Sequence, residues 1–169
     1  LHFYNNELYW VEIYSDRVRK ISVSGGPATV EASTNMVANN SFLEMDMTHL
    51  YWADQYNIWM KPIGTGAITT VASSLPDIYN LKVYLSDLYV GNGDGINVLP
   101  ISGGSLTTIV PNQTYYISSY EVDGSGIYWS HYDGTISKSA HDGNSMVTLA
   151  VGLNQPHSLN LESGNMYCA

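Results

Sequence analysis

Residues 50–54 read Leu50-Tyr51-Trp52-Ala53-Asp54. Successive side chains of a β-strand point to opposite faces, so Tyr51 and Trp52 lie on the two sides of one strand. Each ring has roughly 150–250 Å² to bury. A strand with two such faces sits between two layers rather than between one layer and water.

The same pair returns along the chain. Leu8-Tyr9-Trp10 precedes it, and Leu88-Tyr89-Val90, Ile127-Tyr128-Trp129 and Met166-Tyr167-Cys168 follow, with tyrosine spacings of 42, 38, 39 and 39. Five residues before each tyrosine stands Tyr4, Asp46, Tyr84, Asp123 or Glu162. About 15 residues after it comes a glycine turn (Gly25-Gly26, Gly64-Thr65-Gly66, Gly103-Gly104 or Asp142-Gly143), then a β-branched run such as Ile68-Thr69-Thr70-Val71. A period near 40 built from short strands is the range of propeller blades. The second repeat divides into strand a from Phe42 to Asp46, strand b from Leu50 to Ala53, strand c from Ile58 to Ile63 and strand d from Ile68 to Ala72. No stretch keeps a helical period. The predicted fold is all-β: a β-propeller of four four-stranded blade repeats plus a partial fifth, spanning 1–169 as one domain. Because the chain opens in a strand a and closes in a strand b, it is expected to be a window of a larger propeller, or to associate with copies of itself to complete one.

Composition narrows the function classes. Among 169 residues, acids outnumber bases 15 to 6 for a formal charge of −9, which argues against a nucleic-acid footprint. No apolar run is long enough for a transmembrane helix. The one cysteine, Cys168, excludes an internal disulfide framework and reads as a buried thiol in place of a core tryptophan, or, in a truncated chain, as an exposed and reactive one.

The repeats resemble YWTD-type and NHL-like β-propellers over the whole chain, most clearly through Leu50-Tyr51-Trp52-Ala53-Asp54. They are similar to bacterial tandem repeats of the form apolar-Tyr-Trp-x-Asp/Asn followed by a Lys-x-Pro-Ile strand and a Gly-Gly turn. Val90 and Cys168 depart from the tryptophan, and Glu12, Asn92 and His131 from the aspartate. The resemblance implies a propeller fold, commonly six-bladed, and says little about activity, since propellers host unrelated functions.

Tyr9, Trp10, Tyr51, Trp52, Tyr89, Tyr128, Trp129 and Tyr167 read as packing residues. Asp46 and Asp123 read as carboxylates that accept backbone N–H bonds of the a–b turn, because a turn device is needed in every blade and a catalytic residue only once. Asn92-Gly93-Asp94-Gly95 reads as a b–c hairpin turn, lacking the ligand spacing of a calcium loop. Glu44, Lys82, Glu121 and Asn160 share one inner-strand phase, seven or eight residues before their tyrosines. They are expected to line the channel with His157 near its opening, hydrogen-bonded to one another or holding a cation or small polar ligand. No cofactor is expected; a channel-bound divalent cation such as calcium is the alternative.

The leading functional expectation is a non-enzymatic binding or scaffold module of a secreted, periplasmic or surface-attached bacterial protein. Its partner would be a protein, peptide or glycan met by loops at the channel mouth. The runner-up is a metal-assisted lactonase- or lyase-like enzyme drawing on Asp46, Asp77, Asp123, Glu121 and His157. A structural subunit of an extracellular assembly is the third reading. Asn39-Asn40-Ser41 and Asn112-Gln113-Thr114 match the N-glycosylation pattern.

Overall fold

The computed structural model describes residues 1–12, 15–34, 42–112 and 116–169. The first glycosylation pattern, and most of the second, lie outside them. The first blade is β1 (His2–Tyr4), β2 (Glu7–Glu12), β3 (Arg17–Ser22) and β4 (Thr29–Ser33). The second is β5 (Phe42–Met45), β6 (His49–Ala53), β7 (Ile58–Pro62) and β8 (Thr69–Ala72). The third is β9 (Asn80–Tyr84), β10 (Asp87–Asn92), β11 (Gly95–Pro100) and β12 (Thr107–Pro111). The fourth is β13 (Ile117–Asp123), β14 (Gly126–His131), β15 (Ile136–Ser139) and β16 (Val147–Ala150). A hairpin of β17 (Asn160–Glu162) and β18 (Asn165–Tyr167) supplies strands a and b of the fifth unit.

Every blade is an antiparallel meander in sequence order. The inner strands β1, β5, β9, β13 and β17 follow one another side by side. The molecule is an all-β propeller. Strand bounds differ from the sequence expectation by a residue: Asp46 closes the turn after β5 rather than ending the strand, and β8 begins at Thr69. Between strands c and d each blade has a register shift, at Val18/Arg19, Ile58/Trp59, Ile96/Asn97 and Ile136/Ser137. A bulge there increases the local twist of the outer strands.

The two faces of strand b enter different layers. Tyr9 packs with Leu43, Leu50, Trp52 and Trp59 of the next blade. Tyr51 packs with Ile78, Leu81, Leu88 and Val90. Tyr89 packs with Ile117, Tyr120, Ile127 and Trp129. Each of these three tyrosines therefore shares a cluster with the residue in the tryptophan position of the following repeat. Val90, in the tryptophan position, is buried in one cluster with Ile78 and Leu99. Trp52 stacks on Trp59 at 6.3 Å and donates its Nε1–H to Thr34 Oγ1 at 3.0 Å.

That rule corrects the expectation of a buried core at four motif residues. Trp10 lies on the face of β2 opposite Tyr9 and is only half-buried, because among the described residues no blade covers that side. Tyr128 faces the two-stranded fifth unit and is half-buried as well. Tyr167 and Cys168 are exposed, with no c and d strands of their own unit beside them. Burial of a repeat residue depends on its neighbour, not on its motif.

The turns hold by side chains of fixed phase. Asp46 Oδ1 accepts N–H bonds from Thr48 at 2.6 Å and His49 at 2.7 Å, and Asp123 Oδ1 accepts one from Ser125 at 2.8 Å. Three residues after the tyrosine, Asp54 Oδ1 accepts N–H bonds from Tyr56 and Asn57 in the b–c turn. Asn92 does the same for Asp94, Glu12 accepts from Ser15 Oγ, and His131 meets Thr135. At this place Asp54 and Asn92 satisfy backbone N–H groups of the b–c turn, whereas Glu12 and His131 bond hydroxyls of theirs. Gly91 lies where a Cβ would come within 2.8 Å of both the Tyr120 and Tyr79 rings.

Candidate functional site

The axis is lined by a row that pairs directly with the repeat tyrosines: His2 opposite Tyr9, Glu44 opposite Tyr51, Lys82 opposite Tyr89, Glu121 opposite Tyr128 and Asn160 opposite Tyr167. The middle three converge. Lys82 Nζ lies 2.8 Å from Glu121 Oε1 and 3.4 Å from Glu44 Oε1. His2 joins from the first blade, with Nε2 2.7 Å from the Leu43 carbonyl oxygen and 3.8 Å from Glu44 Oε1. Asn160 holds the same register but is exposed. His2 escaped the sequence reading, although it stands seven residues before Tyr9 just as Glu44 stands seven before Tyr51.

Burial pushes the Glu44 carboxyl up to about 7, Lys82 pulling it down and Glu121 pushing it further up. For Lys82, burial works against the charge, but Glu44 and Glu121 outweigh it and hold the ammonium above its ordinary value. Burial lowers His2, opposed by its bond to Leu43. The row is a compact ion-pair cluster of one cation between two carboxylates, the Glu44 carboxyl raised toward neutrality.

His157 is not part of this row. It lies on the connection before β17, exposed, with Nδ1 3.2 Å from the Gln155 carbonyl oxygen and its backbone paired to Ala169. Asp46 and Asp123 stand at the a–b turns, whereas Asp77 and His157 stand on d–a connections at the other end of the inner strands. Among the described residues, no group of three or more His, Cys, Asp or Glu side chains is arranged to hold a metal ion.

The a–b turns surround one mouth of the channel. There His2, Phe3, Tyr4, Met45, Asp46, Met47, Val83, Tyr84 and Leu85 line a cleft of about 410 Å³. Its apolar members face water: Met47 is 81% exposed, Leu85 76% and Phe3 62%. Such side chains at turn tips leave an apolar patch where turns are ordinarily polar. Tyr4 donates its hydroxyl to the Met47 carbonyl at 3.0 Å, tying the first blade to the second turn. Asp46 is strongly held: burial alone would raise it, but the Thr48 and His49 amides and the Thr48 and Tyr51 hydroxyls keep it below the usual carboxylate range. The cleft thus has an apolar wall and an ionised rim.

The third blade departs from the turn pattern. Tyr84 replaces the aspartate, and the Tyr89 hydroxyl meets His141 Nδ1 of the fourth blade at 3.0 Å instead. Asp87, Tyr89, Ser105, Thr107 and His141 border a second groove of about 500 Å³ at this junction.

No protein-family model matches the sequence. In fold, the chain is similar to a chain of a nidogen/laminin complex, with TM-score 0.77 and 13% identity over 97% of this chain and 67% of that one. It is similar to the computationally designed Ika8 protein, with TM-score 0.73 and 14% identity over 99% of this chain. It is also similar to the designed Ika4 protein, with TM-score 0.59 and 14% identity over 75% of this chain and 82% of that one. The chain spans 53% of the Ika8 length. At these identities the likeness is one of architecture.

Proposed function

We propose that this propeller is a non-enzymatic binding module that recognises a protein or peptide partner at the a–b mouth of its channel. The observation that carries the reading is the cleft there, where Met47, Leu85 and Phe3 are exposed around one concavity. Exposed apolar residues gathered in one place favour a macromolecular partner over solvent. Rigid blades hold the turns in place, and turns that differ from blade to blade supply specificity. The nidogen/laminin neighbour adds a precedent, since its structure is that of a protein complex. The acidic, tyrosine- and asparagine-rich composition supports placement in a secreted or surface-attached bacterial protein.

A random peptide library selected on the immobilised chain tests this reading, with a glycan array run in parallel. Peptides that bind the wild type and lose affinity for Met47→Ser are expected. Enrichment of no peptide over a blank surface, or binding of glycans alone, overturns it.

A further inference from the structure

Leu85 is in an unfavourable state twice over. Its φ is +53°, the left-handed region in which a Cβ crowds the backbone, and its side chain is 76% exposed. The equivalent turn position holds Asn5 at φ +48° and Ser163 at φ +51°, residue types that suit a turn and water. Among the described residues Leu85 joins none of the three hydrophobic clusters of the core. Strain kept at an exposed position points from structure to use.

Met47 occupies the same place in the second blade and borders the same cleft. Among the described residues no lysine or arginine lines that cleft and its charged residue is Asp46; beneath it Glu44 stands beside His2 and is paired with Lys82, which leaves Asp46 as the free charge of the rim. The formal charge of the chain is −9. From these observations, and resting on the binding reading above, we infer that Leu85 and Met47 are the anchor pair of the mouth cleft and that the partner is a positively charged polypeptide segment seating one apolar side chain between them. The apolar side chain supplies affinity by removing Met47 and Leu85 from water. The positive charge matches the Asp46 rim and the overall negative field, which speeds encounter.

The test uses peptides selected from the random library against the full chain, and the variant Leu85→Asn. Asparagine accepts the left-handed turn and removes the apolar anchor, so the variant folds and its melting temperature rises by about 2–4 °C. Its affinity for the selected peptides falls by at least about ten-fold. The peptides carry Lys or Arg beside an apolar residue, and their affinity drops several-fold as salt is raised from low to high concentration. Equal binding by Leu85→Asn overturns the anchor assignment while leaving a binding module with a site elsewhere. Peptides that need Leu85 but are acidic or insensitive to salt overturn the cationic partner. An unchanged or lowered melting temperature overturns the strain argument. Failure to enrich any peptide removes the underlying binding reading itself.

Discussion

His141 of the fourth blade lies flat against Tyr84 of the third, with ring centroids 5.0 Å apart and planes 5° apart. Its Nδ1 also meets the Tyr89 hydroxyl at 3.0 Å. In the second blade that hydroxyl role belongs to one residue of the same turn, since Tyr51 donates to Asp46 at 2.8 Å. The third blade has exchanged a local carboxylate for a stacked pair that crosses the blade junction.

Removing the imidazole therefore leaves two partners short. His141→Ala is expected to cost about 1–2 kcal/mol, from a hydrogen bond and a ring contact. In a Tyr84→Asp background the carboxylate of the second blade is restored beside Ser86, and the same change is expected to cost only about 0.5 kcal/mol. A double-mutant cycle by urea unfolding measures the coupling.

Glu44 makes stability depend on pH. Its carboxyl is raised from 4.5 to about 7 in the fold, so the folded state holds the proton more tightly than the unfolded chain. The stabilisation this provides is full below about pH 4.5 and is lost as pH climbs to about 7. The loss is of the order of 3 kcal/mol. Glu44→Gln cannot titrate, so its stability relative to wild type should rise across that window. Equal slopes for the two proteins between pH 4 and 8 would remove Glu44 as the source.

Lys82 is the cation shared by the two carboxylates Glu44 and Glu121. Lys82→Met leaves Glu44 and Glu121 facing each other without a cation, and is expected to destabilise by about 3–5 kcal/mol at pH 8. At pH 5 Glu44 takes up a proton and the penalty should shrink. Denaturation at the two pH values distinguishes this from a simple loss of packing, which would be equal at both.

Tryptophans of the same motif should differ in worth. Trp52→Ala opens the layer between the first and second blades and is expected to cost about 3–5 kcal/mol. Trp10→Ala, on a half-buried ring, should cost about 1 kcal/mol or less in this chain. Thermal unfolding of the two variants side by side gives the comparison.

The blades were legible because a buried two-faced strand must repeat its aromatic pair each time it is sandwiched, and Tyr51-Trp52 writes that requirement openly. The a–b turn role of Asp46 and Asp123 was legible for the same reason: a local bond leaves a local spacing. What lies between blades was not. The half-burial of Trp10 and the exposure of Cys168 depend on which strands stand beside them, and no motif records that. His2 was within reach through its seven-residue offset, but its own blade begins at the chain start, where the pattern has no preceding turn to align on. The Tyr84–His141 contact joins residues 57 apart that share no pattern. Leu85 was hidden for the opposite reason, since nothing in a leucine announces a left-handed backbone.

The tyrosine of one repeat closing on the tryptophan position of the next makes each of the first three junctions a hand-off between consecutive copies. An ancestral gene could then lengthen or shorten by whole repeats and still regenerate a working seam at each new join. The joins would not be equivalent: losing the second repeat would bring Tyr9 against Val90, a smaller partner than Trp52. Val90 shares its cluster with Ile78 and Leu99, so a repeat carrying tryptophan there would have to find room among them. Copy number in such a chain is easy to change early and becomes progressively fixed as individual seams specialise.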